Sequence, residues 1–223
     1  MTGRISEVFD SVQGEGIFLG EKQLFVRFHG CNLNCSFCDT KQDNFKEYQA
    51  HELLEEIKSY HDDYHSISFT GGEPLLQKDF LKELLFYTSC YGFKNYLETN
   101  GTLVDELEEV IDLVDFVAMD LKFPTSICQD KPLWQEHHDF LKVASRKQVF
   151  LKSVICRSTK VEDLEISLDL IKKINKAAIL VLQPNYYEED ILTDKLEKFK
   201  KICLNNQVAA CVIPQMHKVV GVK

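Results

Sequence analysis

Short runs of hydrophobic residues alternate along the chain with segments in which hydrophobic residues lie three or four positions apart. This alternation predicts strands that alternate with helices. Short apolar runs rich in β-branched and aromatic residues predict strands. These runs lie at Leu24–His29, Ser66–Thr70, Asn95–Glu98, Phe116–Leu121, Gln148–Ile155, Ala177–Leu182 and Val208–Ile213. Between them, apolar residues three or four positions apart predict helices with one buried face. The helical segments are His51–Tyr60, Phe80–Phe86, Leu107–Leu113, Leu133–Val143, Leu164–Ile174 and Ile191–Ile202.

This alternation implies βαβ units and a mostly parallel sheet. The pattern alone leaves two architectures open, an open doubly wound sheet and a partial barrel. A complete eight-unit barrel usually needs about 250 residues. The chain has 223, so an incomplete barrel fits its length better. The sequence contains no internal repeat and no Gly/Ser-rich linker, and we expect residues 1–223 to form one domain.

Polar or glycine-rich residues follow nearly every predicted strand. In parallel α/β folds the carboxyl ends of the strands point to one face, where ligands bind. We therefore expect these segments to converge on one pocket. They are the cysteine-rich stretch 31–38, Thr70-Gly71-Gly72-Glu73-Pro74, Glu98-Thr99-Asn100-Gly101, Asp120-Leu121-Lys122 and Gln183-Pro184-Asn185.

The charge of the chain narrows the class of substrate. The formal net charge is −9, and no basic patch of the kind that binds nucleic acid is visible. A small-molecule substrate is therefore favoured, without direct nucleic-acid binding. No apolar run reaches the length of about 18 residues that a membrane helix needs. We expect a soluble, cytoplasmic protein that does not bind membranes.

The eight cysteines indicate metal binding more than disulfides, because no secretory signal is present. Three of them are crowded into one short stretch. We expect Cys90, Cys203 and Cys211, which lie in apolar-periodic segments, to be buried as small hydrophobic residues. Cys128 and Cys156 lie near strand ends, and the sequence does not assign them a role.

The crowded cysteines are Cys31, Cys35 and Cys38, with the spacing C-x3-C-x2-C. A four-iron cluster normally takes four thiolates. Three thiolates would leave one iron open to a substrate or cofactor, as a catalytic zinc keeps one position free. The alternative is a zinc site with a fourth ligand elsewhere, for which His29 is a candidate.

The pattern C-x3-C-x-aromatic-C, followed by Gly71-Gly72-Glu73-Pro74, resembles the radical S-adenosylmethionine (SAM) superfamily. The resemblance implies a partial, modified (β/α)6-type barrel. It also implies a [4Fe-4S] cluster on the three cysteines, whose open iron binds the amino and carboxylate groups of SAM. Electron transfer from the cluster would then release a 5′-deoxyadenosyl radical, and the protein supplies orientation and exclusion of solvent.

Three further segments are similar to the 7-carboxy-7-deazaguanine synthase family. They are Phe9-Asp10-Ser11-Val12-Gln13-Gly14-Glu15-Gly16, Phe25-Val26-Arg27-Phe28 and Cys38-Asp39-Thr40. This resemblance implies a lyase of queuosine and deazapurine biosynthesis. Its reaction would contract the ring of 6-carboxy-5,6,7,8-tetrahydropterin to 7-carboxy-7-deazaguanine and release ammonia. It would need a reducing electron donor such as flavodoxin or ferredoxin, and a homodimer is among the expectations.

The family resemblance also implies a role for individual residues. Arg27 would bind the pterin carboxylate, since its planar fork matches a carboxylate, and Thr40 would bind Mg²⁺. The other substrate contacts would be Val12, Gln13, Gly14 and Thr70. The residues around SAM would be Phe37, Cys38, Asp39, Gly72, Glu73, Asp120, Leu121, Lys122 and Gln183.

Other interpretations stay open at this point. Asp120-Leu121-Lys122 is also found in activases of glycyl-radical enzymes, so an activase of the same superfamily is the second candidate function. A non-enzymatic zinc-binding module is the third. Without the motifs, Arg27 would be an outward charge, Thr40 a helix cap and Gln13-Gly14-Glu15-Gly16 a plain turn.

Overall fold

The computed structural model describes residues 1–38, 44–128 and 131–221 of the chain. Its strands are β1 Thr2–Val12, β2 Lys22–Phe28, β3 Lys46–Gln49, β4 Ser66–Gly71, β5 Asn95–Thr99, β6 Phe116–Asp120, β7 Gln148–Ile155, β8 Leu180–Pro184 and β9 Ala210–Val212. Its helices are α1 Ala50–Ser59, α2 Lys78–Cys90, α3 Val104–Val110, α4 Pro124–Ile127, α5 Trp134–Ala144, α6 Val161–Ile174, α7 Glu189–Asn205 and α8 Met216–Val220.

The described strands form one sheet in the order β3-β1-β2-β4-β5-β6-β7-β8-β9. Strand β1 is antiparallel to β2 and β3, while β2 and β4 to β9 pair in parallel. From β4 to β9 the order never reverses. Right-handed crossovers then place the connecting helices on one face of the sheet. The predicted α/β fold, an incomplete barrel, is therefore confirmed, and the strand order is not that of a doubly wound sheet.

The two faces of the sheet have different environments. On the helical face, aliphatic and aromatic side chains of the strands and helices form the main core. On the inner face, a second and smaller cluster contains Tyr96, Ala118, Phe150 and Val181. Phe18 packs against it, with ring centroids 5.7 Å from Tyr96 and 6.2 Å from Phe150. This cluster fills the inner face below the carboxyl ends of the strands and leaves those ends open.

The predicted strands and long helices are all present, with ends that differ by a few residues. Strand β1 and strand β3 are additions that the pattern did not predict. Both are rich in charged and polar residues, and β1 buries only part of its length. β1 is placed in the sheet by pairing with β2, and β3 by pairing with β1. These long-range pairings cannot be read from the local hydrophobic pattern.

Burial of the isolated cysteines was only partly predicted. Cys203 is fully buried, as expected, and Cys211 is half-buried. The prediction for Cys90 is wrong, because this residue is exposed. Cys90 is the last residue of α2, where the helix has passed the edge of the core.

Candidate active site

A cavity of about 590 Å³ opens at the carboxyl ends of the strands, on the inner face of the sheet. It is lined by thirteen of the residues that the sequence predicts. These are Val12, Gln13, Gly14, Arg27, Cys31, Cys35, Phe37, Cys38, Thr70, Gly72, Asp120, Lys122 and Gln183.

Strand register explains why residues so distant along the chain meet. Arg27 of β2 is paired with Thr70 of β4 and with Glu7 of β1. On the other side of the cavity, Asp120 of β6 is paired with Lys152 of β7. Because each pair ends up side by side at the same height, their side chains enter one space.

Main-chain hydrogen bonds join the cysteine loop to the glycine turn. Gly72 N donates to Phe28 O at 3.0 Å, and Glu73 N donates to Gly30 O at 2.8 Å. Both acceptors lie within the three residues that precede Cys31. The two sequence motifs are therefore held against each other by backbone contacts, at one end of the cavity.

The three motif cysteines all line the cavity. Burial raises the pKa of the Cys31 thiol, and it raises that of Cys35 to about 11. The described residues contain no group of three His, Cys, Asp or Glu side chains gathered as a metal site. The thiols are thus near one another but not in ligand geometry. Ligation would require them to lose their protons, which couples metal binding to the arrangement of the loop.

Glu73 lies beneath the cavity and does not line it. Its side chain is fully buried and accepts hydrogen bonds from Thr99 Oγ1 at 2.9 Å and from Asn100 N at 2.7 Å. Burial raises the pKa of Glu73 to about 7, although these hydrogen bonds partly oppose the shift. In this arrangement the carboxyl group fixes the turn after β5.

One wall of the cavity carries a cluster of four largely but not fully buried charges. Lys122 Nζ lies 2.8 Å from Asp120 Oδ2, and Lys152 Nζ lies 3.6 Å from the same atom. Lys152 also forms an ion pair with Glu15. Burial alone would lower the pKa of Lys122, but the attraction of Asp120 outweighs it and the pKa is raised. The wall therefore balances two cations against two carboxylates.

The cavity lining also includes a hydrogen-bonded carboxylate and an arginine. Glu98 accepts from Gln13 Nε2 at 2.8 Å and from Thr70 Oγ1 at 2.7 Å. Arg27 Nε donates to Glu7 Oε2 at 3.2 Å, and its guanidinium carbon lies 5.5 Å from the ring centroid of Phe9. Arg27 itself lines the cavity, whose volume is large enough for a bicyclic molecule.

Two buried acceptor atoms on cavity-lining residues have no hydrogen-bond partner among the described residues. They are Asp120 Oδ1 and Gln183 Oε1. Because buried polar atoms are nearly always paired, these two are suited to the donors of a bound molecule. A molecule with amino and hydroxyl groups, such as SAM, fits this set.

The structure leaves some predicted residues outside the lining. Leu121 is fully buried in the core, and its amide donates to Lys152 O at 2.7 Å. Glu73 lies beneath the cavity, as described above. Asp39 and Thr40 lie outside the described residues.

Several cavity residues were not predicted as site residues. Glu98, Asn100 and Asn185 belong to segments whose composition marked them as strand ends, and Phe9, Glu15 and Phe25 belong to segments that resemble the family, so those signals were available. The other residues lie on strands or in the C-terminal segment, where only strand register and tertiary packing bring them to the cavity. They include Glu7, Tyr96, Phe150, Lys152, Val154, Gln215 and Lys218.

A second cavity of about 330 Å³ lies beside the cysteine loop. Cys38, Cys128 and Cys156 all line it. Cys156 is buried and accepts a hydrogen bond from Asn185 Nδ2 at 3.6 Å, while Cys128 is exposed. The two cysteines without a predicted role thus lie next to the motif cysteines.

Comparison with known proteins identifies the family. The family model of the radical SAM superfamily matches residues 25–194, and the chain belongs to this superfamily. The 7-carboxy-7-deazaguanine synthase of Geobacter sulfurreducens is 34% identical over 248 residues, covering 97% of this chain and 96% of the relative. That of Archaeoglobus fulgidus is 34% identical over 237 residues and covers both chains fully. Within the superfamily, the chain belongs to the 7-carboxy-7-deazaguanine synthase family.

Solved structures agree on the fold. QueE from Escherichia coli superimposes with a TM-score of 0.69 at 20% sequence identity, covering 95% of this chain and 93% of QueE. A domain of pyruvate-formate lyase-activating enzyme from Bacteroides vulgatus superimposes with a TM-score of 0.55 and covers 66% of this chain. Family membership favours an enzyme over the zinc-binding module. Within the described ranges, no helix has both the length and the apolar character needed to span a bilayer.

Proposed function

We propose that this chain converts 6-carboxy-5,6,7,8-tetrahydropterin to 7-carboxy-7-deazaguanine with release of ammonia. The reaction is a carbon–nitrogen lyase reaction of deazapurine biosynthesis. The names of relatives that match nearly the whole chain support this assignment.

The observation that carries the proposal is the convergence of two sets of residues on one cavity. Gln13, Arg27 and Thr70, which resemble the substrate-binding residues of the family, line the same space as Asp120 and Gln183. The cysteine loop borders that space. Substrate and cofactor would therefore be bound within reach of each other, with little room for water between them.

The residues fit the implied cofactors. Cys31, Cys35 and Cys38 supply three soft thiolate ligands, the usual ligands of an iron–sulfur cluster. When bound, the [4Fe-4S] cluster and SAM would supply the radical that begins the reaction. Asp120 Oδ1 and Gln183 Oε1 would accept hydrogen bonds from SAM, and Lys122 and Phe37 would border it. Glu73 would act on this site through the turn that it fixes.

For the substrate, Arg27 would bind the carboxylate through its terminal nitrogens while Glu7 holds its Nε. A guanidinium paired in this way keeps its orientation, so the carboxylate meets a prearranged fork. Gln13 and Thr70 are each held by Glu98, and Val12 and Gly14 complete this side of the cavity. The pterin ring would lie between these groups and the cysteine loop.

Three finer features belong to the proposal. Thr40 would supply a hydroxyl ligand to Mg²⁺, which completes its shell with substrate oxygens and water. A flavodoxin or ferredoxin would deliver the electron, and the active form would be a homodimer. Residues 1–223 would act as one catalytic domain, which the continuity of the single sheet supports.

The test is anaerobic turnover of the iron-reconstituted, reduced protein with the tetrahydropterin and SAM, with the product identified by mass. The wild type should form the deazaguanine product and ammonia. Cys35→Ala should show no turnover and should also fail to retain iron. Cys203→Ala and Cys90→Ala are the controls, and both should keep their iron and cleave SAM.

The outcomes separate the candidate functions. SAM cleavage that stays uncoupled from the tetrahydropterin, together with hydrogen abstraction from a glycine-containing partner protein, would support the activase instead. Full SAM cleavage by Cys35→Ala would contradict the cluster assignment itself.

A further inference from the structure

Lys152 is a largely buried cation on the cavity wall that the proposed function leaves without a role. Its side chain is 15% exposed, contacts the Glu15 carboxylate and lies 3.6 Å from Asp120 Oδ2. Burial alone would lower its pKa, but the attraction of Glu15 and then Asp120 outweighs burial and raises it. Lys152 therefore stays protonated, which suits it to hold carboxylates and not to transfer protons.

Glu15 fixes the position of the loop formed by residues 12–16 through its hydrogen bonds. Its amide N donates to Gln13 Oε1 at 3.0 Å, and its Oε1 accepts from Gln215 Nε2 at 3.0 Å. Gln13 in turn donates to Glu98 and Gln23. The position of Glu15 thus determines where the Gln13 amide lies in the cavity.

The two carboxylates depend on Lys152 to different degrees. Asp120 has a closer cation, Lys122 at 2.8 Å, and would keep that partner if Lys152 were neutral. Glu15 would lose its ion pair with Lys152 while keeping its hydrogen bond from Gln215. Loss of the Lys152 charge should therefore disturb the 12–16 loop much more than the end of β6.

We propose that Lys152 is a positioning residue that holds the substrate loop, residues 12–16, against the strand end that binds the cofactor. This inference rests on the proposed function, because it takes the loop to be the pterin-binding segment. Through Glu15 on one side and Asp120 on the other, Lys152 keeps the two halves of the cavity at a constant separation. The substrate is thereby presented to the cofactor at one distance.

The test compares Lys152→Met with the wild type in the iron-reconstituted, anaerobic protein. Calorimetry without reductant gives the Kd for the tetrahydropterin and for SAM, and turnover gives kcat and KM. Removing one partner of a buried ion pair is strongly unfavourable, so we expect the tetrahydropterin to bind about thirtyfold or more weakly. The Kd for SAM should change less than about threefold, because Lys122 still pairs with Asp120.

Lys78→Met is the matched control, since Lys78 forms an exposed ion pair with Glu109 away from the cavity. It should leave both Kd values unchanged. Because Lys152→Met leaves Glu15 buried beside an apolar side chain, the double variant Lys152→Met/Glu15→Gln guards against simple misfolding. It should fold and still bind the tetrahydropterin weakly.

Each result has one meaning. Wild-type tetrahydropterin binding in either Lys152 variant, or equal weakening of both ligands, overturns the positioning role. Wild-type protein that binds the tetrahydropterin but forms no deazaguanine product overturns the proposed function alone. If the wild type turns over normally and the Lys152 variants bind the tetrahydropterin as tightly as the wild type does, the inference alone is overturned.

Discussion

At the scale of single residues, the cavity is organised by charged side chains that are held by opposite charges. Arg27 is held by Glu7, and Lys152 by Glu15. Burying a charge without a partner is costly, so the ion pair between Lys152 and Glu15, whose side chains are 15% and 17% exposed, stabilises its wall of the cavity. Both pairs also prearrange the groups that would meet the substrate, which reduces the cost of ordering them on binding.

The most direct test at this scale is Arg27→Lys. The variant keeps the positive charge but loses the fork, so one hydrogen bond to the pterin carboxylate would be lost. We expect kcat/KM for the tetrahydropterin to fall about a hundredfold, equivalent to about 2–3 kcal/mol. Steady-state kinetics measures this loss, and the Kd for SAM should stay near the wild-type value.

One result of the Arg27→Lys measurement would contradict the role of Arg27. If Arg27→Lys has wild-type kcat/KM, the carboxylate does not bind at Arg27. Arg146→Lys is a suitable control, because Arg146 also pairs with a carboxylate, Glu108, but is half exposed and away from the cavity.

At the scale of elements, the turn after β4 sets the distance between the cysteine loop and the rest of the sheet. Gly71 has φ of +120°, and a Cβ there would lie 2.4 Å from Phe28 O and 2.5 Å from Phe28 N. Neither neighbour can move, because both are backbone atoms of β2. Only glycine therefore allows β2 and the turn to approach so closely.

Gly71→Ala should consequently destabilise the protein and displace the cysteine loop. We expect a loss of about 3 kcal/mol or more in the free energy of unfolding, from the contact and the strained φ together. Iron retention should fall in parallel. Denaturant unfolding and iron analysis measure the two effects.

Gly92→Ala is the matched control for this element. Gly92 also has a positive φ, +83°, but a Cβ there would meet nothing within 4 Å. Gly92→Ala should lower the free energy of unfolding by only about 1 kcal/mol and leave iron retention unchanged. Equal losses in the two variants would show that the approach to Phe28 is unimportant.

At the scale of the whole molecule, the pH dependence of stability depends on two fully buried groups with opposite shifts. Burial raises the pKa of Glu73 from 4.5 to about 7 and lowers that of His137 from 6.5 to about 4. Both side chains hydrogen-bond to the main chain of Asn100, Glu73 to its N–H and His137 to its carbonyl. The turn after β5 is thus held by two groups that are both stable in their neutral forms.

The signs of the two contributions are opposite. Between about pH 4.5 and 7 the folded state holds the Glu73 proton more tightly than the unfolded chain, so this stabilisation is lost as pH rises. Between about pH 4 and 6.5 the unfolded chain protonates His137 more readily, so that contribution to stability grows as pH rises. Each is worth about 3 kcal/mol at most, and they nearly cancel in the wild type.

Two isosteric or near-isosteric variants should separate the two contributions to the pH dependence of the free energy of unfolding. In Glu73→Gln the free energy of unfolding should increase from pH 4.5 to 6.5, and in His137→Gln it should decrease over the same range. Urea unfolding at a series of pH values measures both. Parallel pH profiles in the wild type and both variants would contradict the assigned shifts.

The amino-acid sequence by itself determined the alternating elements, the mostly parallel α/β class and the cysteine and glycine motifs. These features are local, since they depend on period, spacing and residue type within a few turns of chain. The tertiary structure alone decided that β1 joins the sheet, that Glu73 lies beneath the cavity and that Lys152 meets Glu15. Lys152 and Glu15 are 137 residues apart, and only strand register and chain closure bring them together. Burial and charge pairing of this kind depend on the whole fold, so they cannot be predicted from a local sequence pattern.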